Sequence, residues 1–371
     1  MRRLRMGMIG GGPGSFIGPI HRIAAELDRK IELVAGVFSS DAERSRQGGD
    51  SYGIDPERAY ANLEEMFAAE KSRNDGIDFV AIVTPNHHHL TAARAALEAG
   101  IPVMSDKPAT ATLDEARALA ELVRATALPY GLTHTYTGYP LVREAKARIA
   151  AGVLGTIRKV VVEYPQGWLA GEASGKQAEW RVDPARSGEG GCIGDIGTHA
   201  FQLAEFVTGL KVTELLADLG IVVPGRRLDD DVSILLHFEN GARGVLLASQ
   251  IEIGELNGLR IRAYGDKAGL SWKQEEPNSL TIHSIDGRTE IVRAGDASLG
   301  PAARASTRTP GGHPEGYLEA FANLYRDFAA VLQGGEAPLL PGIDDAVRGM
   351  AFISTAVNAS RDRAGWVPLK A

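Results

Sequence analysis

The chain has 371 residues, 44% of them hydrophobic and 23% charged, an ordinary globular composition too long for one core and long enough for two domains. Forty-seven acidic residues against forty basic ones leave a net charge of −7, with no basic block to track a phosphate backbone, so no nucleic-acid partner is expected. No apolar run reaches the roughly 18 residues of a membrane-spanning helix, so no membrane partner is expected. The lone Cys192 excludes an internal disulfide and any multi-cysteine metal site, which fits a reducing, cytoplasmic setting. The start MRRLRMGMIGG is charged like a signal peptide, but glycines break the apolar stretch and no small-residue cleavage site follows, so none is expected.

From Leu4 to about Leu132 short β-rich runs alternate with helical stretches, the pattern of βαβ units in a parallel sheet. Strands are predicted at Arg5 to Ile9, Ile31 to Phe38, Phe79 to Val83, Pro102 to Met104 and Tyr130 to Thr133. The helices predicted between them are His21 to Leu27, Ala42 to Gln47, Leu63 to Glu70, Leu90 to Ala99 and Leu113 to Ala127. The runs LVAGV and FVAIV lack alternation, so both sheet faces should be covered.

After Tyr139-Pro140 the pattern changes. A helix from Leu141 to Ala151 leads into the strand IRKVVVEY, and VSILLHF, Asn240-Gly241 and RGVLLASQIEI together read as a hairpin. GLRIRAYG, GLSWK and SLTIHSI extend that antiparallel sheet, a loop is expected from Gly295 to Pro314, and helices at Tyr317 to Leu332 and Asp344 to Arg361 close the chain. The expected fold is α/β: a doubly wound parallel sheet in residues 1–138, then an α+β domain with an open, mostly antiparallel sheet in 139–371.

Five segments carry chemistry. The turn around Gly10 and Gly12 follows the first strand and opens a helix, where backbone amides could cradle a pyrophosphate, or where glycines merely pack tightly. Phe16 and Ile17 belong to this turn, in which Ser15 stands where a third glycine is usual. At the tip of the second strand, Ser39 and Ser40 stand where an acid would take the ribose hydroxyls of NAD or an arginine the 2′-phosphate of NADP. Asp41 and Arg44 come later, so NAD is favoured and NADP remains open.

Thr84-Pro85-Asn86 with His89 ends a buried strand, where α/β sheets bind ligands. The adjacent histidines point in different directions and no further ligand cluster accompanies them, so no metal is expected. Asp106-Lys107-Pro108 places a lysine at a strand tip, either to meet a substrate oxygen or as a solvated loop residue. From Asp195 onward, Ile196, Ala200, Leu203 and Val207 form a core stripe, while Asp195, His199 and Gln202 share a neighbouring face. A carboxylate one turn before an imidazole could orient a proton acceptor; equally, it could cap a helix bearing a surface histidine.

These segments, in this order, resemble the Gfo/Idh/MocA family of nicotinamide-dependent oxidoreductases. The matching residues are the Gly10/Gly12 turn, Thr84-Pro85-Asn86 with His89, Asp106-Lys107-Pro108 and the glycine-rich approach to Asp195 and His199. The resemblance implies an N-terminal Rossmann domain and a second α/β domain whose open sheet builds homodimers or homotetramers. It also implies that Lys107, Asp195 and His199 surround the reacting carbon. Asp106 replaces the family's usual Glu, so its contact near the nicotinamide ribose is open. TGYP at Thr137, EYPQGW at Glu163, WRVDPARSG at Trp180 and GHPEGYLEAFANLY at Gly312 are similar to a subgroup including inositol dehydrogenases, some acting on sugars such as L-glucose.

The function implied is NAD-dependent oxidation of a secondary hydroxyl of a cyclic polyol or sugar, with Lys107 and Asp195 holding the hydroxyl and His199 taking its proton. Trp168, Trp180, Arg181, Asp183, His313 and Tyr317 are candidates to line the sugar. The alternatives are an NADP-dependent sugar oxidoreductase, a glycosidase that recycles its NAD, and a non-catalytic dinucleotide or sugar sensor.

Overall fold

The computed structural model describes residues 2–171 and 175–371. The chain divides into two compact units, Met1–His134 with Phe321–Val347, and Thr135–Ala320 with Arg348–Ala371. The units are therefore not contiguous in sequence, unlike the expected segments 1–138 and 139–371.

In the first unit, β1 (Leu4–Gly10), β2 (Ile31–Val37), β3 (Phe79–Val83), β4 (Val103–Ser105) and β5 (Tyr130–Leu132) form one sheet. Its order is β2-β1-β3-β4-β5 and its pairings are parallel. The helices α1 (Ile17–Glu26), α2 (Ala42–Tyr52), α3 (Leu63–Ser72), α4 (His89–Glu98) and α5 (Leu113–Thr126) make the crossovers. All five residues of β3 are buried, as expected of a central parallel strand. Thr112 and Glu115 cap α5 reciprocally. The helix expected to stop at Gln47 runs on to Tyr52, because Gly48 and Gly49 are buried tightly against Phe38 and Ala59.

The second unit opens with α6 (Pro140–Ala150), β6 (Ile157–Pro165), α7 (Lys176–Arg181) and α8 (Pro184–Ser187). Then come a π-helical turn at Ile193–Gly197, α9 (Thr198–Thr208), β7 (Val212–Gly220), β8 (Asp231–Phe238) and β9 (Arg243–Ser249). The meander β10 (Arg260–Gly265), β11 (Ala268–Lys273), β12 (Ser279–Ser284) and β13 (Thr289–Arg293) precedes α10 (Pro301–Ala305). Most of α11 (Tyr317–Leu332) and the start of α12 (Ile343–Arg361) belong to the first unit, and the rest of α12 with β14 (Val367–Pro368) completes the second.

The nine-stranded sheet has the order β13-β12-β11-β10-β6-β9-β8-β7-β14. Only β6 and β9 pair in parallel. One sheet face is buried: Val160, Val162, Ile234, Leu236 and Leu246 point into the core with the stripe Ile196, Ala200, Leu203 and Val207. On the other face Val161, Val245, Leu235 and Leu216 follow one another across four strands in register, with Leu235 44% exposed.

Two expectations change here, the first being the loop from Gly295 to Pro314, which holds α10. The run expected to remain a strand through Ile253 ends at Ser249. The segment Val212–Gly220, which holds three leucines and was not foreseen as a strand, carries no clear alternating pattern; its pairing with β8 overrides local propensity. Among the described residues no helix is long and apolar enough to cross a membrane, and no His/Cys/Asp/Glu group could hold a metal ion.

Candidate functional site

In the first unit, β1 ends at Gly10 and the chain turns into α1. A Cβ on Gly12 would lie 2.3 Å from the Phe38 carbonyl oxygen, so this turn meets the tip of β2 with backbone alone. Phe16, at the start of α1, gives no side-chain cap and is exposed, with Ile17 half-buried behind it. The nearest cap is Ser15 Oγ, which accepts Gly18 N at 3.2 Å. At the end of β3, Thr84 Oγ1 is buried without a hydrogen-bond partner. A backbone-lined turn, a helix start and an orphan hydroxyl on adjacent strand ends fit a dinucleotide.

Ser39 Oγ accepts Asp41 N at 3.2 Å, and Asp41 caps α2 through Arg44 N. Ser40 is exposed. The tip of β2 thus presents hydroxyls, with Asp41 committed to the helix cap.

Pro85 is exposed and Asn86 buried. The structure gives His89 a task other than facing a ligand. It is buried, with Nδ1 2.7 Å from the Pro108 carbonyl oxygen and Nε2 2.8 Å from that of Thr84. The ring thus ties the end of β3 to the loop that carries Lys107. Asp106 is equally committed: its Oδ1 accepts the Thr133 hydroxyl at 2.7 Å and Lys107 N at 2.9 Å. His21 Nε2 lies 3.9 Å from the same oxygen, and His21 Nδ1 meets the Tyr325 hydroxyl at 2.6 Å. Burial opposes charge on Asp106, but His21, the Lys107 ammonium and Thr133 outweigh it and hold the carboxyl well below its usual range. His134, buried nearby, is pushed down to about 3 by burial and by the Lys107 charge. Lys107 is therefore set on a loop tied from three sides.

In the second unit, Asp195 lies in the π-helical turn rather than at an α-helical start. Its Oδ2 accepts Arg181 Nε at 3.1 Å and Gln250 Nε2 at 2.9 Å. The Arg181 guanidinium lies over the Trp180 ring at 4.4 Å and the Trp168 ring at 5.8 Å. His199 is buried on α9, its ring edge-on to Tyr136 at 4.8 Å and tilted to Tyr164 at 6.3 Å.

The two tyrosine hydroxyls are hydrogen-bonded to each other, and Tyr164 donates to Asn257 Oδ1 at 2.7 Å. Gln166 Nε2 donates to that same oxygen at 2.8 Å, while its Oε1 accepts Trp168 Nε1 at 2.8 Å. Burial and the nearby Asp195 charge push the Tyr136 hydroxyl up, and burial and Tyr136 push Tyr164 further. Both phenols therefore stay protonated as donors at neutral pH.

The structure thus gathers Trp168, Trp180, Arg181, Asp195 and His199, and adds Tyr136, Tyr164, Gln166, Gln250 and Asn257. It gives other tasks to two expected residues. Asp183 caps α8 and pairs with Arg227 at 2.9 Å, and His313 is exposed with Nδ1 3.3 Å from its neighbour Pro310 O. Tyr317 is half-buried at the start of α11. Tyr164 and Gln166 lie within EYPQGW, the only sequence signal for them; Asn257 and Gln250 had none.

Comparison with known proteins agrees with this reading. Residues 4–134 match the oxidoreductase family with an NAD-binding Rossmann fold, and 142–271 match the GFO/IDH/MocA C-terminal domain. An uncharacterised oxidoreductase, YfiI of Bacillus subtilis, is 36% identical over 99% of this chain and 97% of its own. The chain belongs to the Gfo/Idh/MocA family. Its first unit is an NAD-binding Rossmann domain, and the protein is an NAD(P)-dependent oxidoreductase.

Two solved structures are similar to this chain throughout. An oxidoreductase from Sinorhizobium meliloti is 43% identical with a TM-score of 0.91, covering 99% of this chain and 100% of that one. An inositol dehydrogenase homologue from Azotobacter vinelandii, solved with NAD+, is 36% identical with a TM-score of 0.94, covering 99% and 97%; it was also solved with NADH and myo-inositol.

Proposed function

We propose that this oxidoreductase uses NAD to oxidise a secondary hydroxyl of a cyclic polyol or sugar, with an inositol as the first candidate. The observation that carries the proposal is the polar cluster of the second unit. A carboxylate fixed by Arg181 and Gln250 stands four residues before a histidine, beside protonated phenols, amides and two tryptophans. A ring studded with hydroxyls calls for many fixed donors and acceptors and an apolar wall. The myo-inositol complex of the Azotobacter relative supports the substrate class.

In this reading His199 takes the proton of the reacting hydroxyl, with Asp195 holding that hydroxyl and the imidazole in orientation. Lys107 supplies an ammonium to the developing alkoxide, its loop fixed by His89 and Asp106. The residues proposed to hold NAD are Gly10, Gly12, Phe16, Ile17, Ser39, Ser40, Thr84, Pro85 and Asn86, with Asp106 and His89 shaping the loop behind them. When bound, NAD supplies the hydride acceptor. The test follows absorbance at the reduced-nicotinamide band with a panel of inositols and sugars under both cofactors. Turnover with at least one polyol is expected; no turnover with any would overturn the reading, and retention of NADH on the protein would point to a recycling glycosidase.

The proposal includes a cytoplasmic setting, supported by the single, buried cysteine, and a homodimer or homotetramer formed through the open sheet face. The apolar row Val161, Val245, Leu235 and Leu216, flanked by the Glu163–Arg262 ion pair at 2.6 Å, suits a second copy of the same surface. Leu235→Glu should convert the oligomer to smaller species in light scattering; a monomeric parent protein would overturn this.

A further inference from the structure

We propose that Asp229, in the loop between β7 and β8, is a positioning residue for Asp195 and His199. The proposal rests on the functional reading above. Asp229 is buried and its carboxylate is spent wholly on backbone: Oδ1 accepts Gly191 N and Oδ2 accepts Ile193 N, each at 2.7 Å. Its carbonyl oxygen accepts Cys192 N at 2.8 Å. Three consecutive amides are thus bound by one residue about forty positions later in the chain.

Those amides are the ones a helix start leaves without partners. They immediately precede and enter the π-helical turn Ile193–Gly197, whose own first residues offer no side-chain cap. Asp229 therefore does from another loop what a local cap does elsewhere. The fit leaves no room for a side chain at residue 191: a Cβ there would lie 2.3 Å from the Asp229 carbonyl oxygen. Gly191 O in turn accepts Asp195 N at 2.9 Å, so the stitched segment directly sets the backbone of the acid.

The neighbouring residue completes the arrangement. Asp230 O accepts Gln250 N at 2.9 Å, and Gln250 Nε2 holds Asp195 Oδ2. The Asp230 carboxylate is bound by Val222 N and Val223 N at 2.8 and 2.9 Å, which fixes the loop itself. The pair Asp229-Asp230 thus fixes the main chain of Asp195 on one side and its carboxylate on the other. Burial opposes charge at Asp229, and the adjacent Asp230 adds to it, pushing the carboxyl up to about 6.

The test uses the full chain with Asp229→Ala and Asp229→Asn. Hydrogen exchange should show protection at the Gly191, Ile193 and Asp195 amides falling at least about tenfold, with β8 and β9 amides unchanged. With the polyol that the parent enzyme turns over, kcat should fall about 10- to 100-fold while KM moves less, and NADH affinity, read by fluorescence titration, should stay within about twofold. Asp229→Asn keeps one acceptor and should fall between the parent and the Ala variant; it carries the test alone if the Ala variant does not fold. Unchanged protection at the three amides, or lost protection with kcat unchanged, would overturn the proposal. If the parent turns over no polyol, the functional reading has failed, and exchange at Asp195 then decides the positioning claim by itself.

Discussion

Arg181 donates through Nε to Asp195 Oδ2 at 3.1 Å while its guanidinium lies 4.4 Å from the Trp180 ring centre. Both partners are largely shielded, at 22% and 16% side-chain exposure. A charge-assisted bond in such a place is worth roughly 1.5–3 kcal/mol, and its loss removes the charged partner that orients the carboxylate beside the Gln250 amide. Arg181→Ala should lower kcat/KM by about 10- to 100-fold with NADH affinity unchanged. Arg181→Lys should recover little, because an ammonium cannot both stack on the indole and donate along the same line. Steady-state kinetics beside a fluorescence titration separates the two effects; an unchanged kcat/KM would show that Asp195 is held without it.

The tip of β2 predicts a preference between cofactors. A 2′-phosphate carries up to two negative charges and calls for a cation there. Ser39 and Ser40 can hydrogen-bond but not neutralise it, and Asp41, held as the α2 cap, would repel it. The ratio of kcat/KM values should favour NAD over NADP by at least about tenfold. A preference for NADP, abolished by Arg44→Ala, would show that Arg44 reaches back one turn.

The Rossmann half was legible because its signals are local: apolar strands and glycines at the β1–α1 turn lie within a few residues of what they determine. The aromatic neighbours of His199, and the amide that binds them, were not. Tyr136, Tyr164 and Asn257 come from three distant stretches and meet only through the tertiary fold. The π-helical turn was read as α-helix because three of the four stripe residues, Ala200, Leu203 and Val207, lie in α9 and only Ile196 falls in the turn. His89 was grouped with Thr84-Pro85-Asn86 at the cofactor through the family resemblance. Its two backbone partners, Thr84 O and Pro108 O, belong to two different strand ends.

His134 makes stability pH-dependent with a definite sign. Burial and the Lys107 charge hold it at about 3 in the folded protein, against about 6.5 for an unperturbed histidine. Above pH 6.5 neither state binds the proton and the contribution of His134 is fully present. As pH falls from 6.5 toward 3 the unfolded state takes the proton first, and stability is lost by up to about 1.4 kcal/mol per pH unit. Asp106, held low, adds no loss until well into the acid range, and Asp229, pushed up to about 6, acts with the opposite sign. The comparison to make is between variants. The melting temperature of His134→Gln should lie below that of the parent at pH 7.5, and the gap should narrow steadily toward pH 4.5. A constant gap would mean that His134 does not titrate on unfolding as described.

The acid–base proposal is the most direct to test. If His199 is the proton acceptor, His199→Ala should lower kcat by about 10² to 10⁴ at pH 7, the usual worth of general base catalysis. NADH binding should survive, because α9 lies in the second unit and the Rossmann sheet in the first. Lys107→Ala should cost a comparable factor, since it removes the charge that stabilises the alkoxide; a weaker nicotinamide affinity there would show that the lysine also orients the ring. The two losses should not multiply. Groups serving one hydroxyl act as a unit, so the double variant should be little worse than the poorer single one. Recovery of His199→Ala at high pH is compatible with hydroxide replacing the imidazole. Near-full activity at pH 7 would remove His199 from the mechanism, and fully multiplicative losses would mean that Lys107 and His199 serve different steps.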